Sequence, residues 1–297
     1  MLVGELSALS SAFIWACNGA LLRWLSPRGD VIAINALRCF VAAVLMVATL
    51  TLLGRGPALL ATPPDVLALL LASVFFGMGL GDSFYFQALR LVGVVRAQPI
   101  AMSYPLISAV LAVLVLGEPL TVRAALGIVL VVAGVYAVAA AQVPPGQARQ
   151  PLAPGVLRRG VLFALAAAVC LALGTIFLRP AASQVDPWVA ATIRLCGASG
   201  FLLAYTARRL GAAREAARKD PAFGPGVLLL GVGTAISMSL FVAGIFYAGA
   251  ARGGALASTA SLFGVPIAVF VLREQVTWRL VAGALLSLVG VWLILLR

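Results

Sequence analysis

Three ionisable residues sit inside long apolar runs: Asp82, Arg38 and Arg194. If those runs cross a bilayer, each charge costs roughly 3 kcal/mol on insertion scales, so each marks a functional site by default. A carboxylate in such a place binds a cationic group of a substrate or carries a coupling proton. The competing reading is a carboxylate satisfied by a neighbouring arginine or hydroxyl. Arg38 and Arg194 each stand eight residues after an aspartate, Asp30 and Asp186, about two helical turns into their segments. They are suited to hold a carboxylate or a gate, or else to snorkel and order a helix end, and the occurrence of both favours the structural role. Helical spacing adds neighbours. Trp15 and Asn18, then Met78, Asp82 and Tyr85, then Gln98, Met102 and Pro105 recur at three or four residues, so each set shares a helix face. With Arg38, Arg194, Thr234, Phe241 and Ser258 these residues, Pro105 apart, form the expected substrate-binding set, and Asp82 is also the proton-coupling candidate. An aromatic and apolar wall with few hydrogen-bonding groups suits an amphiphilic solute such as an amino acid, although aromatic stripes also serve plain packing.

The elements that must hold these side chains follow from composition. Of 297 residues, 63% are hydrophobic and 10% charged, and the mean hydropathy is +1.12, which fits a chain whose solvent is mostly lipid. A helix needs about 20 apolar residues to cross a hydrocarbon core of about 30 Å. Apolar runs fall at 3–22, 31–53, 66–89, 97–116, 121–141, 159–178, 187–206, 226–248, 253–272 and 278–296. They predict an all-α integral membrane protein of ten transmembrane helices. The stretch 142–155, with Pro144, Pro145, Pro151 and Pro154, reads as a linker. It divides the chain into a first half at 1–141, a linker at 142–156 and a second half at 157–297. The arginine-rich stretch 207–221 fits a short surface helix. Thr121 and Thr277 are expected to cap spans five and ten, and Pro99, Pro105 and Pro266 to kink spans four and nine.

Sliding the sequence against itself by 156 residues pairs its rare charges. Arg23 falls on Arg179, Asp30 on Asp186, Arg38 on Arg194, Arg96 on Arg252, Glu118 on Glu274 and Arg123 on Arg279, while Gly77, Gly93, Gly127 and Gly134 fall on Gly233, Gly249, Gly283 and Gly290. Internal repeats mark many transporter folds. Five spans per half is an odd number, so the second half must enter the membrane upside down. Two inverted five-helix repeats around a central cavity are therefore expected, able to open that cavity to each side in turn. The repeat also shows an asymmetry: Asp82 falls on Met238, and Trp15 and Asn18 fall on Leu171 and Gly174, so the cavity should be chemically lopsided.

The segment from Gly81 to Thr121 reads GDSFYFQALRLVGVVRAQPIAMSYPLISAVLAVLVLGEPLT and is followed by Gly127 and Gly134-Val135. The second half repeats it more loosely, with Arg252, Pro266 and LREQVTWRLVAGALLSLVGV from Leu272 to Val291. These features resemble the EamA family of the drug/metabolite transporter superfamily over nearly the whole chain. The family's arginine near the start of the second span matches Arg38 and Arg194. The chain departs from the pattern at Arg273-Glu274-Gln275, where the first half has Gly117-Glu118-Pro119. The resemblance implies a basket in which spans one to four and six to nine surround a cavity while spans five and ten stay peripheral. It also implies export of amino acids, other metabolites or toxic compounds.

The expected function is a secondary transporter that exports a small metabolite, such as an amino acid or amphiphilic compound, by alternating access. The alternative is a passive channel or facilitator. No cofactor is expected: the chain has no histidine, which removes the usual zinc and haem ligand sets, and it carries neither a phosphate-binding glycine-lysine motif nor a nucleophile beside a base. A net charge of +12 is spread among apolar runs and forms no basic face for nucleic acid. The expected partners are a small-molecule substrate, the lipid bilayer and coupling protons, with the chain a monomer or weak dimer in a bacterial inner membrane. The charges of the turns put both termini outside the cytoplasm by the positive-inside rule, whereas the resemblance implies cytoplasmic termini.

Overall fold

The computed structural model describes residues 2–116, 122–140, 153–182, 184–207, 218–248, 256–257, 259–273 and 276–295. The described residues are helical, with no strand among them. In chain order the helices are α1 (Leu2–Leu25), α2 (Val31–Leu52), the short α3 (Pro57–Leu60), α4 (Pro64–Val74), α5 (Asp82–Val92), α6 (Val94–Ala101), α7 (Tyr104–Leu116), α8 (Val122–Ala140), α9 (Pro154–Ala182), α10 (Pro187–Thr206), α11 (Phe223–Ala248), α12 (Ala260–Phe270) and α13 (Trp278–Leu295). Among the described residues five helical stretches are long and apolar enough to cross a membrane: α2, Pro64–Val92, Pro154–Leu178, α10 and α11. Ala125–Val138 and Trp278–Leu293 are shorter apolar helices. The expected surface helix at 207–221 falls largely outside the described residues.

Two local devices depart from the simple spans. Between α4 and α5 the chain winds as a π-helix, Phe75–Gly81, so the third span is a wide-turned helix rather than a regular one. The fourth breaks in two at Met102 and Ser103, whose N–H groups turn back to Gln98 O at 2.8 Å and Ile100 O at 3.2 Å. Pro105, without an N–H, cannot resume the ladder to Ala101. Between α5 and α6 the corner is made by Gly93 alone, at φ 79°, a left-handed value that a side chain would strain. Asp30 caps α2 by accepting from Ile32 N at 3.0 Å and Ala33 N at 2.9 Å, and Asp186 caps α10 by accepting from Trp188 N at 2.9 Å. Thr277 does not cap as expected. Its carbonyl starts α13, but its hydroxyl makes no hydrogen bond among the described residues, and Thr121 lies outside them.

The halves pack as a two-fold pair. α1 lies on α11 as α9 lies on α4, α5 and the π-helix; α2 meets α10, α6 meets α12, and α8 meets α13. Individual contacts obey the same rule. A Cβ on Gly290 would lie 2.6 Å from Gly127 O, and one on Gly283 would lie 2.8 Å from Gly134 O. Each of these contacts is the repeat image of the other. Gly4 against Ala248 N is likewise the image of Gly160 against Val92. Small residues let these backbones approach closely, which is how helices gain packing energy in lipid. In α1, Gly4, Ala8, Ala12, Ala16 and Ala20 form a buried stripe at every fourth residue, and Gly160, Ala164, Ala168 and Ala172 repeat it in α9. α8 and α13 pack on each other at the edge, with Val122, Val129, Tyr136 and Trp278 exposed, a surface that suits hydrocarbon.

Candidate functional site

A cavity of about 100 Å³ lies between the halves. Of the residues expected to bind substrate, Trp15, Met78, Asp82, Met102, Arg194, Thr234 and Phe241 line it. Asn18, Arg38, Tyr85 and Gln98 stand behind that lining. Asn18 packs against Gly233, where no side chain would fit; Tyr85 stacks on Trp15 with ring centroids 6.1 Å apart; and Gln98 Nε2 donates to Ala260 O at 2.7 Å, tying α6 to α12. Ser258 lies outside the described residues. The lining also includes Ser11, Tyr104, Thr175 and Ser237, outside the expected set. Ser11 stands one turn before Trp15 on the same helix face, so helical spacing alone points to it. Ser11 Oγ donates to Ser237 O at 2.8 Å and so joins α1 to α11.

The π-helix positions the acid. Asp82 N–H bonds to Gly77 O, five residues back, and the wide turn puts Gly77, Met78 and Asp82 all on the cavity wall. Met78 O accepts from Asn35 Nδ2 at 3.2 Å, and Ser83 Oγ lies 3.1 Å from the same nitrogen. Asn35 is thereby held to receive Arg38. Extra turns of this kind recur at functional sites in helices, and here the turn brings Met78 O to Asn35 of α2.

Arg38 is fully buried at 0% exposure, and Asp82 is 1% exposed. All three nitrogens of the Arg38 guanidinium donate. Nε donates to Asn35 Oδ1 at 2.9 Å, Nη1 to Thr234 Oγ1 at 2.9 Å, and Nη2 to Asp82 Oδ2. The Phe86 ring covers one face, 4.7 Å from Cζ. A buried charge needs this degree of pairing to persist.

Arg194 makes the repeat-equivalent contact to a different atom. Its Nη1 lies 3.3 Å from Met238 Sδ, and Met238 occupies the position that Asp82 holds in the first half. Nε of Arg194 is buried and has no hydrogen-bond partner among the described residues. The residue is 4% exposed and lines the cavity. Its Nη2 end lies beside Gly77, where an added Cβ would stand 3.7 Å away. Trp15 Nε1, also on the cavity, is a second buried donor without a hydrogen-bond partner among the described residues. The site therefore holds one closed arginine–carboxylate pair and one open arginine. Among the described residues no group of three or more His, Cys, Asp or Glu could hold a metal ion.

Both halves match the family model described as the EamA-like transporter family, over residues 2–140 and 158–296. A relative from Archaeoglobus fulgidus, described as an uncharacterized transporter, is 25% identical over 291 residues, covering 98% of this chain and 97% of its own. A crystal structure with 20% sequence identity superposes at a TM-score of 0.67, covering 98% of this chain and 95% of that one; at that identity the likeness concerns the fold alone.

Proposed function

The chain belongs to the EamA-like transporter family, a transporter and not an enzyme, and on that premise we propose that it is a secondary transporter of ten membrane spans in two inverted five-helix repeats. It carries a small metabolite such as an amino acid or an amphiphilic compound, outward, by alternating access. The observation that carries the proposal is the set of paired contacts between the halves around one shared cavity. Two similar bundles joined by image-related contacts can exchange conformations, so the closed face of one state becomes the open face of the other. The small-residue stripes of α1 and α9 support this reading, because smooth faces slide with little interlocking. The break at Met102 and Ser103 supports it too, since a helix without a continuous ladder bends at low cost.

In this mechanism Asp82 is the group that takes up the coupling proton. Its ion pair with Arg38 opens when it does so, and Arg38 keeps Asn35 and Thr234 as partners. Binding of solute and proton on one pocket couples their movements.

The test is counterflow in proteoliposomes with a panel of labelled amino acids and amphiphilic acids. Saturable uptake, accelerated by unlabelled solute inside and by a pH gradient, is the expected result. Uptake that rises linearly with concentration and gains nothing from internal solute would make the protein a channel.

A further inference from the structure

We infer that Arg194 is the anchor for a carboxylate on the transported solute, and that the solute is a monoanion with an apolar body. The inference rests on the transporter reading and names the substrate class of its site. Charge balance comes first. Among the described residues the cavity and its immediate support hold Arg38, Asp82 and Arg194, and Arg38 and Asp82 neutralise each other through a direct ion pair. Arg194 remains, 4% exposed, with the Met238 thioether beside Nη1 and no hydrogen-bond partner for Nε among the described residues. A desolvated cation is stable only when its charge is answered, and a solute that brings one negative charge answers it. A dianion would leave a surplus negative charge in the same low-dielectric space.

Hydrogen-bond chemistry points the same way. Arg194 Nε and Trp15 Nε1, buried at the cavity wall with no hydrogen-bond partner among the described residues, can only donate. They call for an acceptor-rich group, and a guanidinium edge matches the two oxygens of a carboxylate. An ammonium is answered less well, because the negative charge of the acid on the wall is already balanced by its direct pair with Arg38. The wall also carries Met78, Met102, Leu171, Met238 and Phe241, apolar side chains that suit a hydrocarbon body, beside the hydroxyls of Ser11, Thr175 and Ser237. The repeat explains how the specificity arises: Met238 stands where an aspartate closes the first arginine, and so leaves the second one available.

The experiment compares three forms of one hydrophobic amino acid on purified protein in nanodiscs, by thermal shift: the zwitterion, its N-acetyl derivative and its carboxamide. The N-acetyl acid should bind most tightly and the carboxamide at least about tenfold more weakly, as loss of a charge-assisted pair implies. Arg194→Gln should keep a melting temperature at or above the parent's while losing at least about tenfold in affinity for the N-acetyl acid, and Arg194→Lys should recover part of it. Equal binding of acid and carboxamide, or full binding by a folded Arg194→Gln protein, overturns the inference. So does tighter binding of the zwitterion, or of an aliphatic phosphate monoester. Binding with the predicted charge selectivity but no counterflow leaves the inference standing and removes the transporter reading; counterflow without that selectivity does the reverse.

Discussion

Arg38 and Arg194 occupy equivalent positions in two halves of one design, yet their surroundings have diverged. Arg38 spends its donors on Asn35, Thr234 and Asp82. Arg194 reaches a methionine sulfur and keeps Nε idle. The lesson is that duplication supplies the position and a single substitution at its neighbour, Asp82 against Met238, decides its use. One copy became a strut between α2, α5 and α11; the other became the charged wall of the cavity.

The comparison breaks most visibly at the strut. Asp82→Ala leaves Arg38 buried without its counter-charge, and removing one partner of a buried pair costs about 3–5 kcal/mol. A large drop in the melting temperature of purified protein is expected, with partial recovery when Arg38→Met is added. Recovery matters as much as the loss, because it separates an unpaired charge from a damaged helix.

Met238→Asp builds the missing partner and should make the second half behave like the first. Charge-assisted pairing is worth about 1.5–3 kcal/mol, so the variant should melt higher while transport of anionic solutes falls by at least about tenfold. An unchanged anion affinity would show that the open arginine is not what the solute meets.

A smaller effect sharpens the contrast between centre and edge. Gly283→Leu places a side chain where even a Cβ would lie 2.8 Å from Gly134 O, and overpacking of this kind costs about 1–3 kcal/mol. α8 and α13 contribute nothing to the cavity wall among the described residues, so stability should fall while solute selectivity stays that of the parent. The smallest effect is expected at Arg55→Gln, which removes a pair to Asp186 of 3.0 Å between side chains 48% and 31% exposed. Exposed pairs contribute about 0–1 kcal/mol, and a melting curve close to the parent's is the expected outcome.

Much of this architecture was legible in the sequence because lipid enforces a simple code. Apolar runs of span length, and charges that pair at one fixed offset, announce helices and a repeat. The asymmetry of Asp82 and Met238 was legible for the same reason. The partner choice was not: Arg38 and Arg194 read alike, and only packing brings Asp82 to the first. The π-helix was invisible, since Gly77, Gly79 and Gly81 permit many backbones and dictate none. It moves the register, and so ties Asn35 to Met78 O. The break at Met102 misled the face in the fourth span. A continuous helix would align Pro105 with Met102, whereas the interrupted one brings Tyr104 to the cavity. The alanine stripe of α1 was readable at every fourth residue but carries no chemistry, so an eye set on charges and aromatics passes over it.

The most direct measurement is the melting temperature of two single variants in the same nanodisc, Arg38→Gln and Arg194→Gln. A marked loss is expected for Arg38→Gln, which strands Asp82, and no loss or a gain for Arg194→Gln, which removes a buried cation whose nearest carboxylate, Asp82, is directly paired with Arg38. Equal losses in the two would contradict this expectation, because they would mean that both arginines brace the fold and neither is held open for a solute.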